Sequence, residues 1–285
     1  MATTIAPGSA AALQLSNLPP ATGRAGLAGA LRSEFTKLRS VRSTYWTIAA
    51  LFIVSVGVAA IAGAGIANNI HNNPWNAAGA DAAQASLIAF FEIGQLIIAV
   101  LGALVITSEY STGMIRTSLT AMPRRGTVYA AKAAVFGAVA LVVSLVTSFL
   151  AFFVGQAILH GTVHATLSQP DVLRAIVGSA LFVTVVGLIA FGVGAIIRHS
   201  AGAITTVIGM MFIIPIIVQV LPQTWRYDLI RFLPDSAGRV ISITVMPSGG
   251  EVYHMWSAWP QFAVTAVYAV VLLAIGAYLF RKRDA

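Results

Sequence analysis

The chain contains no cysteine. Disulfides, thiolate metal sites and cysteine nucleophiles are therefore excluded. Charge is nearly as scarce, since only 9% of the 285 residues are Asp, Glu, Lys or Arg, against roughly a quarter in an average soluble domain. A soluble chain of this length must cover a large wetted surface, and this one lacks the residues to do so. The 11 prolines and 25 glycines follow no collagen-like or low-complexity pattern. No G-x-x-x-x-G-K-[ST] phosphate loop, H-E-x-x-H pair or G-x-S-x-G elbow occurs, so ATP hydrolysis by this chain alone, a zincin-type site and serine-hydrolase chemistry are not expected. His160 and His164 stand at i, i+4, but Gly161 interrupts them and no third ligand is evident. No catalytic residue, metal site or cofactor is assigned to the chain.

What is present in excess is apolar surface. Hydrophobic residues make up 58% of the chain, and the mean hydropathy of +0.86 points to lipid as the solvent. Six stretches approach the ~20 apolar residues needed to cross a bilayer, at about residues 45–67, 86–107, 128–159, 172–197, 201–221 and 259–280. Backbone in lipid must satisfy its own hydrogen bonds, and these segments are too long and too weakly alternating for barrel strands. The fold expected is all-α, a polytopic membrane protein with six transmembrane helices over residues 45–285.

The net charge of +8 would suggest nucleic acid on a soluble protein. Here thirteen of the 17 Lys and Arg residues fall on one side of the six spans and four on the other. The richer side is expected to be cytoplasmic, which puts both termini inside and leaves no reason to invoke nucleic acid. Residues 1–26 carry one charge, Arg24, and no continuous apolar stretch. They read as a flexible cytoplasmic tail.

Two segments outside the spans carry pattern. In residues 27–44, Leu27, Leu31, Phe35 and Leu38 share one helical face, while Arg32, Lys37, Arg39 and Arg42 project elsewhere. Glu34 can pair with Lys37 at i+3. This predicts an amphipathic helix in the inner interface, the alternative being a plain basic extension of the first span. The loop at 222–258 is long and mixed, cut by Pro222, Pro234, Pro247 and Gly249–Gly250. Short helices folded back into the outer leaflet fit it, the alternative being an exposed loop with interfacial aromatics.

Polar residues within spans are costly and mark candidates for function. Glu92 is a pathway residue, or an ion-pair partner for Arg174 or an outer-loop arginine, or else a wet carboxylate on a helix that starts near Ile93. Gln95 and Gln219 are candidates to line a pathway. Pro215 predicts a kink in the fifth span, whether hinge or static packing.

The inner loop, 108–127, carries a carboxylate, Glu109, then Gly113, an apolar pair Ile115 and Leu119 with Arg116 between them, then Pro123, Arg124 and Arg125. Physically this is a short helix with a stop, suited to docking in a soluble partner or to being a generic basic loop. The order of Glu109, Gly113, Ile115, Leu119, Pro123 and Arg125 resembles the signature of type-2 ATP-binding-cassette (ABC) exporter permeases, Glu-x-x-x-Gly-x-(Ile/Leu)-x-x-x-Leu-x-x-x-Pro-x-Arg. The run Leu31–Trp46 is similar to the start of such permeases in high-GC Gram-positive bacteria. Met114, Arg116, Thr117 and Ser118 depart from the acidic and bulky apolar content usual after the glycine.

The resemblance implies a permease subunit in a bacterial cytoplasmic membrane, moving a hydrophobic or amphipathic drug, lipid or peptide outward. It implies pairing with a second permease subunit and with cytoplasmic ABC ATPase subunits that hold ATP and Mg. The inner loop would be the coupling helix, the residue 27–44 helix would add to the ATPase contact, and the outer loop would cap the pathway. The alternative is a secondary carrier or channel, for which internal repeats or several mid-membrane charges would be usual.

Overall fold

A computed structural model describes residues 26–79, 81–121, 124–244 and 256–283. The tail up to residue 25, Pro123 and the centre of the long loop, 245–255, lie outside the described residues. Within them no β-strand occurs, and six helices are long and apolar enough to cross a membrane.

The first element, α1 (Leu27–Ser40), is separated from α2 (Arg42–Asn72) by one extended residue, Val41. Then follow α3 (Ala82–Ser111), a short α4 (Met114–Ala121), α5 (Arg125–Leu159), α6 (Val172–Ile197) and α7 (Ser200–Gln219). Two short helices, α8 (Gln223–Ile230) and α9 (Pro234–Arg239), precede the last span, α10 (Ala258–Lys282). The spans alternate in direction, so α1, α4 and the end of α10 gather at one end of the bundle. That end also carries most of the cations and is called the basic end below.

The spans outrun their apolar cores. At ~1.5 Å per residue, the 35 residues of α5 extend well past a ~30 Å hydrocarbon layer, and α1 packs on the protruding first turns. The start of α3 is set by Asp81, whose side chain accepts from the Gln84 backbone N–H at 2.9 Å. Asp81-Ala-Ala-Gln84 has the spacing of a capping box, a signal the hydropathy reading passed over. Glu92 consequently lies ten residues inside an established helix, not at its start.

The helix α6 is the axis of the fold, the most buried of the spans, with α3, α5, α7 and α10 around it and α2 against α3 and α5. The tightest crossing is between α3 and α6. A Cβ on Gly102 would lie 2.3 Å from the Gly187 carbonyl oxygen, so the two backbones touch where only glycine permits it. Ile98 and Phe136 border this contact, and Phe182, Ile189 and Phe191 are fully buried along α6. By contrast α2, α7 and α10 leave Ile53, Ile61, Ile216, Val220, Val267 and Val270 uncovered, as lipid-facing surfaces must.

Two spans carry a turn of π-helix, Phe90–Gly94 in α3 and Gly209–Ile213 in α7. The second precedes Pro215, whose ring removes a backbone donor. The turn before Pro215 is thus widened. Pro215 itself is buried.

The helices of the long loop before the last span fold back among the spans. Pro234, Asp235, Ala237 and Gly238 of α9 are buried, against α10, α6 and the π-turn of α7. Their backbone groups are met by side chains, as irregular backbone at that depth requires. Thr265 donates to the Pro234 carbonyl at 2.8 Å, and Gln261 donates to that of Arg231 at 2.5 Å. Arg174 donates to the carbonyls of Ile241 and Ile243 at 3.0 and 2.9 Å.

Candidate functional site

At the basic end, four charged residues from three elements meet. Lys132, eight residues into α5, lies with its Nζ 2.5 Å from Glu34 Oε2 and 2.7 Å from Glu109 Oε1. Lys37 stands 2.8 Å from Glu34 and 3.1 Å from Glu109. Two carboxylates and two ammonium groups cancel, which is what makes their burial tolerable. Glu34, Glu109 and Lys132 are nearly inaccessible, at 6, 8 and 4% side-chain exposure, against 27% for Lys37. Burial alone would lower the pKa of Lys37. The flanking Glu34 and Glu109 outweigh it and hold the ammonium above its ordinary value.

This cluster corrects one expectation and adds a feature to another. The side of α1 packed on the bundle is Ala30, Glu34 and Leu38, while Leu27 and Phe35 are exposed. The helix turns Glu34 inward to Lys132. Glu109 was expected as a carboxylate leaving the membrane at the head of a docking helix. It lies instead inside the last turns of α3, locked to Lys132 and Lys37. Arg32 and Arg39 are exposed on α1.

After Glu109 the chain turns into α4. Thr112 closes α3 by donating its N–H to the Ser108 carbonyl, and Gly113 follows with φ +72°. That left-handed conformation favours glycine and gives a physical reason for glycine four residues after Glu109. Ile115 is buried beneath α4, pinning it against α3 and α5, while Met114, Thr117 and Thr120 are exposed. The side chains of Arg116 and Leu119 lie outside the described part. Arg124 is exposed, and Arg125 donates to the Arg283 carbonyl at 3.0 Å. Arg198 and Arg283 reach the carbonyls of Leu279 and Ile196, placing cations at the C-terminal ends of α10 and α6, where the helix dipole favours them.

At the far end, Glu92 sits on the π-turn of α3 and forms a two-pronged ion pair with Arg239 of α9. Arg239 also donates to Asp235 at 2.8 Å, and Gln95 Nε2 lies 3.3 Å from Asp235. Of the partners considered for Glu92, the structure selects the outer-loop arginine. Arg174 is occupied with Asp171 and the loop carbonyls. Gln95 is fully buried and so belongs to this clamp rather than to an open channel wall. Gln219 is exposed at the end of α7. Sequence reading placed Lys132 just inside the third span without pairing it with Glu34 and Glu109, and missed Asp235 as the partner of Arg239. An ionisable residue eight positions into an apolar helix was the available signal for the first.

His160 and His164 have ring centroids 6.4 Å apart, with no group of three metal-ligating side chains among the described residues.

Residues 30–216, about two thirds of the chain, match a family model described as ABC-2 family transporter protein. No curated protein matches the chain. The matched region includes the ion cluster, α4, the first four spans and the fifth up to residue 216.

Proposed function

The chain belongs to the ABC-2 family of transporter proteins and is a membrane permease subunit of an ABC transporter, and from that premise we propose that it is the moving half of an ATP-driven exporter. In this reading the basic end is cytoplasmic, in a bacterial plasma membrane, and α4 is the coupling helix. A separate ATPase subunit holds ATP and Mg and presses on α4. A second permease subunit completes the pathway. The cargo is a hydrophobic or amphipathic molecule.

The observation that carries the proposal is how α4 is mounted. It is one short helix between two spans, with Ile115 driven into the bundle and Thr117 and Thr120 facing out. One turn upstream, Glu109 is fastened to α1 and α5 through Lys37 and Lys132. A push on α4 therefore loads three elements together. A ligand or partner shifts a conformational equilibrium only through differential contacts with its states, and an ATPase gripping α4 would make such contacts.

The absence of native cysteine permits a direct test. Thr117→Cys should be labelled by a membrane-impermeant maleimide only from the cytoplasmic side and should cross-link to the co-purified ATPase. Labelling from outside, or ion-gradient-driven transport by the lone chain, would overturn the assignment.

A further inference from the structure

The ion cluster forms the floor of a cavity of about 340 Å³ between the α1–α2 elbow and the last turns of α3. That is within the range of small-ligand sites, ~300–1,000 Å³. Its walls divide by chemistry. Leu38, Val41, Leu101, Leu104 and Val105 make the apolar side, while Lys37, Ser40, Ser43, Thr44 and Ser108 make the polar side. A second, shallow depression adjoins it on α1, lined by Arg32, Ser33, Thr36, Lys37 and Ser40. The two share Lys37 and Ser40, so a cationic, hydroxyl-bearing surface borders an apolar slot.

We infer that this composite site binds an anionic glycerophospholipid of the leaflet at the basic end. Its phosphate rests on Arg32 and Lys37 with the rim hydroxyls, and one acyl chain enters between Leu104, Val105 and Val41. Three observations select a lipid over other occupants. The local charge favours an anion, because the buried quartet is neutral while Arg32, Arg39 and Arg42 on the same elbow are exposed. Clustered cations beside a membrane recruit anionic headgroups. The height is interfacial, because Tyr45 and Trp46, adjacent to the cavity-lining Thr44, are 55 and 77% exposed, as aromatic residues are at the headgroup level. The apolar wall is chiefly Leu101, Leu104 and Val105 of the span α3, deeper in the bundle than its Ser108, and the cationic surface belongs to α1, so the polar-to-apolar gradient follows that of a bilayer leaflet.

The proposal goes beyond transport and does not depend on ATP coupling. The bound lipid would fill the space beside the quartet and brace α1 against α3.

The test uses the full chain in nanodiscs of phosphatidylcholine doped with phosphatidylglycerol, extracted in mild detergent, with retained lipid identified by mass spectrometry. Phosphatidylglycerol should be retained in preference to phosphatidylcholine. Arg32→Gln, at an exposed position, should lower its retention about fivefold, as expected for one cation at the membrane surface. Leu104→Trp should abolish it by filling the slot. Soluble glycerol phosphate should not displace it. Equal retention of both lipids, retention unchanged in Arg32→Gln, or displacement by glycerol phosphate would overturn the inference. One-for-one displacement by a transported compound would also overturn it and make the cavity a cargo site. The cysteine cross-link at Thr117 reads ATPase docking separately, so failure of the lipid site and failure of the exporter reading are distinguishable.

Discussion

Lys132→Met isolates the ion cluster as a mechanical joint. The methionine matches the length of the lysine stem but removes the charge that holds Glu34 at 2.5 Å and Glu109 at 2.7 Å. Two buried carboxylates would then share Lys37 alone, leaving one uncompensated negative charge. Breaking a buried pair from one side costs about 3–5 kcal/mol. Lys37→Met leaves the same one uncompensated charge but at the more exposed edge of the cluster, where water reaches it, so a smaller cost of about 1–3 kcal/mol is expected. Adding Glu34→Gln to Lys132→Met restores neutrality, leaving Glu109 with Lys37. The double variant should therefore be less destabilised than the sum of the single variants by about 1–3 kcal/mol. Equilibrium unfolding of the detergent-solubilised chain measures wild type, the three single variants Lys132→Met, Lys37→Met and Glu34→Gln, and the double variant. Additive effects, or equal costs for Lys37→Met and Lys132→Met, would refute the cluster as described.

Gly113→Val should cost about 1–2 kcal/mol through its left-handed backbone alone, because nothing lies within 4 Å of the added Cβ; weaker cross-linking of Thr117→Cys to the ATPase is the readout. Gly102→Ala should destabilise by about 1–3 kcal/mol or more by forcing α3 from α6, whereas Gly65→Ala, with open space around it, should be neutral or gain up to ~1 kcal/mol, and thermal unfolding in detergent separates the two. The raised pKa of Lys37 means its contribution is fully present below the ordinary lysine value of 10.5 and is lost as pH rises through the higher folded value; the stability difference between wild type and Lys37→Met should hold from neutral pH to about 10 and shrink only above that. Glu92→Gln should loosen α9, seen as faster maleimide labelling of Ser242→Cys, a position fully buried in the native clamp; unchanged labelling would remove Glu92 from the clamp.

The spans were legible because a bilayer demands one simple property over a fixed length, and hydropathy averages it well. The inward turn of Glu34 on α1 was not legible. Local spacing put Leu27, Leu31, Phe35 and Leu38 on one face, but Glu34 is buried by a lysine 98 positions away, a compensation no local window contains. The partner of Glu92 was narrowed to a few arginines by counting charges on one side. Choosing Arg239 required knowing that α9 folds back and that Arg174 is spent on carbonyls. Of the two π-turns, Pro215 announced the one in α7. The one in α3 follows no breaker residue, and its local sequence, Phe-Phe-Glu-Ile-Gly, reads as ordinary apolar helix.

The placement of the two polar knots constrains how work could pass through this fold. Glu109 at the basic end and Glu92 and Gln95 at the far end all belong to α3. Seventeen residues separate the two glutamates, about 25 Å at helical rise. Between them Gly102 touches the backbone of Gly187, so α3 cannot bow toward α6 without a clash. A shift of α3 toward α6 is thus a costly motion, and any turn or slide of α3 along its own axis carries Glu109 and Glu92 together. The π-turn at Phe90–Gly94 stands where α3 meets α9, and the π-turn of α7 touches α9 from another direction. Such turns are frequent at functional sites. The wedge α9 is held to one of them by an ion pair and to the other by packing alone. If α3 turned or slid, the Glu92–Arg239 pair would have to carry α9 along or break. Either outcome alters the far end of the bundle without moving α6, and the axis of the fold can stay fixed while its outer closure changes.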